Sequence, residues 1–189
     1  MLILASQSPR RRDLLLREGV SFCVVTRDTE EVNDAALPPV ELCARNAAAK
    51  AEAVAAERPQ DIVVGADTLV FLEGSPLGKP ADLADAHRML TELQGRTHSV
   101  CTAVAVIMPG GARRDFAVTS AVTFRSMSPQ DIDHYLAEVH VLDKAGAYAM
   151  QEKSELIVAR VEGDIDNVIG LPVGKLLETL CASPSAFCP

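Results

Sequence analysis

The chain has 189 residues, 48% of them apolar and 23% charged, with 26 acidic against 18 basic residues for a net charge of −8. That length and apolar content suit one globular domain, or one domain of two lobes, and exclude a disordered chain. The acidic balance, with no basic run beyond Arg10, Arg11 and Arg12, argues against a nucleic-acid polymer as partner but leaves room for a small anion.

Residues 2–4 read as a strand and residues 6–9 as a turn. A helix follows, with Ser8 as N-cap, Pro9 as its first residue and Gly19 as its stop after Leu14, Leu15 and Leu16. Three arginines in the first turn are the unexpected charge. A helix N-terminus carries partial positive charge and unpaired N–H groups, so cations are unfavourable there unless an anion binds. A Ser-rich turn, a helix dipole and the guanidinium forks of Arg10 and Arg11 together suit phosphate, whereas Arg12 reads as solvated. Residues 22–25 read as a second strand leading to an acidic loop with Asp28, Glu30, Glu31 and Asp34. A long helix then runs from about Pro38 and Pro39 to before Pro59, its apolar stripe formed by Cys43, Ala47, Ala51, Val54 and Ala55. Lys50 lies on that stripe, so it either snorkels out or points its ammonium into a site.

Residues 62–64 read as a buried strand that meets Gly65, Ala66, Asp67 and Thr68 before residues 69–72 continue it. A turn over 73–79 leads to a helix capped by Asp82, with Leu83, Ala86, Leu90 and Leu93 as its buried face and Gly95 as its stop. Residues 100–108 and 116–124 form a hairpin around 109–111, with Phe116, Val118, Val122 and Phe124 on one face. Ser128 and Pro129 open a helix with Ile132, Tyr135, Leu136 and Val139 inward. Small residues at 145–149 precede Gln151, residues 156–161 read as a strand, and 167–170 close onto a final helix from Pro172 through Leu176, Leu177 and Leu180. Strands and helices that alternate around a hairpin imply an α/β domain with a mixed central sheet, flanking helices and a cleft. One domain over 1–181 with a flexible tail at 182–189 is expected. No segment approaches the roughly 20 apolar residues that span a bilayer, and no signal-peptide pattern precedes the arginines, so a cytoplasmic protein that binds no membrane is expected.

Five cysteines, at 23, 43, 101, 181 and 188, show no CxxC pair, and four histidines, at 87, 98, 134 and 140, show no metal-ligand spacing. Reduced thiols fit better than a disulfide framework, and neither zinc nor haem is expected.

Asp67 is the second strong feature, because a carboxylate between two apolar runs is costly to bury without a partner or a task. It reads as lying at a strand end, where catalytic groups gather in α/β proteins. A structural aspartate satisfied by backbone N–H groups or by Thr68 is the plainer alternative. Lys79, held between Gly78 and Pro80, is aimed by a conformationally fixed turn. Asp67 as base, Lys50 and Lys79 as charge stabilisers, and Arg10 and Arg11 as phosphate forks would form a phosphate-hydrolysing site.

Five ordered stretches carry a resemblance: LILASQSPRR at 2–11, GADTLV at 65–70, GKP at 78–80, DKAGAYAMQ at 143–151 and EGDIDNVIGLP at 162–172. Together they resemble the Maf family of nucleotide pyrophosphatases over nearly the whole chain. The resemblance implies hydrolysis of a nucleoside triphosphate to the monophosphate and pyrophosphate, dependent on Mg²⁺ or Mn²⁺. It also implies a homodimer and a two-lobed fold shared with inosine triphosphate pyrophosphatases. Carried over position by position, it makes Ser6, Arg10 and Arg11 phosphate ligands, Lys50 and Lys79 catalytic lysines, and Asp67 the general base. Glu31 becomes a metal-associated acid together with Asp67, Thr68 a substrate contact, and Gln151 the reader of the base. GADT and Gln151 resemble the subgroup acting on dTTP and UTP. Met150, Glu152 and Lys153 replace the glycine-rich surroundings usual around that glutamine, and Ile165 stands where an aromatic is common. The alternatives are a relative that prefers 7-methyl-GTP, CTP or modified nucleotides, and a non-catalytic nucleotide sensor in the control of cell division.

Overall fold

Strand β1 (Leu2–Leu4) lies between β2 (Cys23–Val24) and β3 (Ile62–Leu72), parallel to both, and is buried along its whole length because helices cover both faces of the sheet there. This computed structural model describes residues 1–32, 34 and 36–182. Helix α1 (Pro9–Arg17) crosses from β1 toward β2 and stops at Gly19, whose φ of +70° suits glycine. The Gly19 and Val20 N–H groups donate to Leu16 O and Leu15 O, closing the helix end.

Helix α2 (Pro39–Ala55) covers one face of the sheet with Leu42, Cys43, Ala47, Ala51 and Val54. Its approach is set by Gly65. A Cβ there would lie 2.4 Å from Ala47 O and 2.7 Å from Ala51 N, so only glycine lets the helix rest on the strand backbone.

The strand expected at 62–64 and continued by 69–72 runs without interruption through 65–68, 11 residues in all, and Asp67 therefore sits in mid-strand rather than at a strand end. Pairing with β5 (Thr97–Ile107) runs unbroken from Val63 to Phe71 and keeps 65–68 extended. On its other edge β3 is paired only at its ends, with β1 at 62–64 and with β4 (Ser75–Leu77) at 70–72. Residues 65–69 lack a strand on that edge, and the cleft opens there. β4 lies inside the expected 73–79 turn, reached by a tight reversal with Glu73 at φ +51° and Gly74 at φ +84°.

Helix α3 (Leu83–Leu93) is capped by Asp82, whose carboxylate accepts from the Asp85 N–H at 2.8 Å. Ala86, Met89, Leu90 and Leu93 face inward, but Leu83 is 57% exposed, because it borders the shallow open groove between α3 and the next helix. β5 and β6 (Arg113–Phe124) form the hairpin, and β7 (Val158–Glu162) adds to β6 antiparallel. The sheet order is β2-β1-β3-β5-β6-β7 with β4 on β3, a mixed seven-stranded sheet flanked by helices, as expected.

Helix α4 (Pro129–Glu138) opens with a reciprocal Ser128–Asp131 capping box. A 3₁₀ turn (Ala145–Ala147) precedes the short helix α5 (Ser154–Ile157). The strand expected at 156–161 thus starts only at Val158, because Lys153 at φ +51° reverses the chain and Leu156 N–H bonds back to Lys153 O. The expected 167–170 loop holds helix α6 (Ile165–Ile169), capped by Asp164, before α7 (Val173–Cys181). Residues 183–189, most of the expected tail and Cys188 with them, lie outside the described residues.

The core has three parts. One lies under α2, one under α1 and α7 on the opposite face, and a third fills the far lobe around Phe124, Tyr135 and Tyr148.

Candidate active site

The unpaired stretch of β3 floors a cleft of about 730 Å³, and alternation along the strand sends Asp67 toward α2 and Thr68 toward α1 and α6. Asp67 is 6% exposed and both its oxygens are engaged. Lys50 Nζ donates to Oδ1 at 2.6 Å, and Asn46 Nδ2 donates to Oδ2 at 3.3 Å. Asn46 and Lys50 are four residues apart on α2, so one helix face delivers both. Lys50 Nζ also reaches Glu31 Oε1 at 2.7 Å, and one ammonium therefore bridges two carboxylates. Its hydrogen bond is the main reason that the Glu31 carboxyl is held below its usual range, with the charges of Lys50, Lys79 and Arg11 acting the same way and partial burial opposing them.

On the other side Arg11 is 9% exposed. Its Nε donates to Gly170 O at 2.8 Å, one terminal nitrogen to Ser6 Oγ at 3.0 Å, and the other to Thr68 Oγ1 at 3.0 Å. Burial, assisted by the neighbouring Arg10 charge, lowers its pKa against the pull of Asp67. Arg11 is thus built into the wall of the cleft and keeps two of a guanidinium's five N–H groups for a ligand. Behind it, Thr68 Oγ1 bonds Thr102 Oγ1 at 2.9 Å, and Asn167 accepts from Thr102 N–H at 3.1 Å and donates to Val100 O at 3.0 Å and Ser120 Oγ at 2.9 Å. A fully buried asparagine here stands in for a strand's peptide group.

The Ser8 side chain caps nothing, and the Ser8 N–H donates to Ser6 Oγ at 3.2 Å. The first turn of α1 therefore opens into the cleft, with Ser6, Arg10 and Arg11 lining it. Arg10 reaches across to Asp143, donating to Oδ2 at 2.9 Å and to the main-chain O at 3.4 Å. Arg12 faces solvent and, among the described residues, pairs only with the adjacent Asp13. Lys79 and Gln151 line the same cleft, both exposed and both without a hydrogen bond or ion pair among the described residues.

The segment carrying Gln151 is held from behind. Ala149 N–H donates to Tyr135 Oη at 3.0 Å, Tyr148 Oη bonds His98 Nε2 at 2.9 Å, and Gly146 N–H donates to Gly78 O at 3.0 Å next to Lys79. His98, Phe124 and Tyr148 pack edge to face. Desolvation lowers the His98 pKa to about 4.

All nine residues expected from the sequence, Ser6, Arg10, Arg11, Glu31, Lys50, Asp67, Thr68, Lys79 and Gln151, line this one cleft. Sequence reasoning missed Asn46, Asp143, Lys144 and Asn167. Asn46 carried a usable signal, a polar residue one turn before Lys50. Asp143 and Lys144 lay inside a quoted motif, but their roles depend on partners distant in sequence. Lys144, buried, donates to His140 O and to Asp143 Oδ1, the latter at 3.0 Å.

No group of three histidine, cysteine or acidic side chains that could hold a metal occurs among the described residues. Glu31 and Asp67 nonetheless fit a hard divalent cation, which takes one or two carboxylates and draws its other ligands from water and substrate phosphates.

Residues 1–183 match a family model described as Maf-like protein. The chain is 58% identical over 179 residues to a dTTP/UTP pyrophosphatase of Akkermansia muciniphila, across 95% of this chain and 94% of that protein. It is 48% identical over 180 residues to a dTTP/UTP pyrophosphatase of Moorella thermoacetica, across 95% and 93%. Among solved structures, the Staphylococcus aureus Ham1 protein has a TM-score of 0.46 at 19% identity, over 82% of this chain and 89% of that one.

Proposed function

The chain belongs to the Maf family, and from that premise we propose that it hydrolyses nucleoside triphosphates, dTTP and UTP foremost, to the monophosphate and pyrophosphate. The observation that carries this reading is the buried Asp67 carboxylate on the floor of a cleft whose walls present Arg10, Arg11, Lys50, Lys79 and an open helix N-terminus.

A triphosphate brings several negative charges, which these cations and the α1 dipole offset. Asp67 orients a water and takes its proton as the water oxygen bonds to the alpha phosphorus. The bond from that phosphorus to the bridging oxygen breaks, and pyrophosphate departs with its added charge facing Lys79 and the arginines. Lys50, already on Asp67 Oδ1, keeps that carboxylate oriented. Glu31 and Asp67 would hold a divalent cation, Mg²⁺ or Mn²⁺, whose chemistry when bound is neutralisation of phosphate charge. Gln151 offers one acceptor and one donor, which match the N3–H and O4 of uracil or thymine, with CTP a weaker fit.

The family resemblance supports a homodimer working in the cytoplasm. Among the described residues no helix is long and apolar enough to cross a membrane. A nucleotide sensor without turnover would use the same arginines, but it gives no reason to bury Asp67 against Lys50. The test is pyrophosphate release over a panel of nucleotides with Mg²⁺ or Mn²⁺. Turnover fastest with dTTP and UTP is expected; binding without release would favour the sensor.

A further inference from the structure

Glu31 reaches the site from a segment with little backbone support. Among the described residues, no backbone–backbone hydrogen bond involves residues 26–32. Two side chains of α2 hold this segment near Asp67, Lys50 on the Glu31 carboxylate and Asn46 on the Val32 backbone. Asn46 accepts from Val32 N–H at 2.8 Å through Oδ1, and its Nδ2 donates to Val32 O at 3.1 Å and to Asp67 Oδ2 at 3.3 Å. The carboxamide thus pairs with a loop residue as a neighbouring strand would, while its second N–H fixes the carboxylate. It is 3% exposed, on the same helix face as Lys50, and every polar atom it owns is used on the site.

We propose that Asn46 is a positioning residue that locks the Glu31 loop to Asp67, setting the spacing of the two carboxylates and leaving the free side of Asp67 Oδ2 for water. This rests on the hydrolytic reading above, yet its geometric half stands apart from turnover. Lys50 alone would hold Glu31 through a flexible chain and one ion pair. Asn46 fixes the backbone one residue further on, so the reach of Glu31 no longer depends on loop entropy.

The test combines hydrogen exchange with kinetics on the full chain. In Asn46→Ala the Val32 amide should exchange at least tenfold faster than in the wild type. With dTTP, kcat should fall at least tenfold while KM stays within threefold, and the half-saturating Mn²⁺ concentration should rise at least fivefold. Val32→Pro removes the N–H partner on an exposed loop without touching the core, and should reproduce the kinetic and Mn²⁺ changes if Asn46→Ala fails to fold. Unchanged Val32 exchange in folded Asn46→Ala, or unchanged Mn²⁺ dependence in both variants, overturns the proposal. A wild type that releases no pyrophosphate from any nucleotide defeats the hydrolytic reading instead, and Val32 exchange together with Mn²⁺ binding measured without nucleotide then still decides the role of Asn46.

Discussion

Arg10 and Asp143, separated by 133 residues in the chain, meet across the mouth of the cleft at 2.9 Å. Burial works to raise the Asp143 pKa, but its hydrogen bonds to Lys144 and Arg10 outweigh that and hold it below the usual carboxylate range. Asp143 therefore stays charged and, on the proposed function, competes with substrate phosphate for the Arg10 fork. Asp143→Asn should lower KM for dTTP by about threefold, and cost about 1 to 3 kcal/mol of stability, since it also takes the carboxylate partner from the buried Lys144. Steady-state kinetics and urea unfolding check this; a rise in KM would mean that Asp143 positions Arg10 rather than competes for it.

Asp67→Asn keeps the shape of the side chain but cannot take a proton. The expected loss in kcat is about 10² to 10⁴, the usual contribution of a general base, with nucleotide affinity within a few-fold. Turnover at the wild-type rate would remove Asp67 from the chemistry, and loss of folding would mark it as structural.

Arg11 and Arg12, neighbours in the first turn of α1, should respond differently. Arg11→Lys gives up at least two of three buried hydrogen bonds, to Ser6, Thr68 and Gly170, and should cost about 2 to 4 kcal/mol of stability as well as raising KM. Arg12→Lys, on an exposed side chain, should stay within about 0.5 kcal/mol and leave kinetics unchanged. Equal effects at both positions would indicate a general basic patch.

Gln151→Glu replaces a donor with an acceptor. The O4 of thymine would then face a carboxylate, at a cost of roughly 1 to 3 kcal/mol, whereas the two adjacent donors of guanine would be matched. The ratio of kcat/KM for dTTP to that for GTP should fall by about tenfold or more, on the same scale. A ratio that does not move means that Gln151 does not read the base.

His98 ties stability to pH. Its folded pKa of about 4 lies below the 6.5 of an unfolded histidine, so the unfolded chain binds the extra proton first as pH falls. The stability present above pH 6.5 should decline through the window from 6.5 to 4 by roughly 3 kcal/mol from this residue, at 1.36 kcal/mol per unit. Urea unfolding at pH 7 and pH 4.5 measures the decline. His98→Gln, which can still bond Tyr148, should flatten it.

Much of the fold was legible wherever the signal is local. Ser8, Pro9 and Gly19 bound α1, Asp82 caps α3, and 109–111 reverse the central hairpin, each through residues within a few positions of one another. That residues 69–72 continue β3 was legible, but the place of Asp67 in mid-strand was not, because pairing with β5 is what keeps Gly65 to Thr68 extended. α6 is five residues long, too short to show a period. Within the site, charged residues facing an apolar background stood out, and Lys50, for which the stripe on α2 left snorkelling or a site open, points into the site and meets Asp67. Asn167 did not stand out, and Asn46 showed itself only by its place one turn before Lys50, since a neutral amide reveals its purpose through the backbone groups that it satisfies.

The gap along β3 separates two kinds of change that the molecule can tolerate. Asp67 is locked in register opposite Ala103, so moving it by one position would turn every side chain of β3 to the wrong face. The wall bearing Gln151 is irregular chain held by Tyr135, His98 and Gly78, and such chain accepts exchanges and insertions that a strand refuses. On the proposed reading, selection can therefore rewrite which base is admitted while the hydrolytic floor is inherited intact, as a lathe keeps its bed when the chuck is changed.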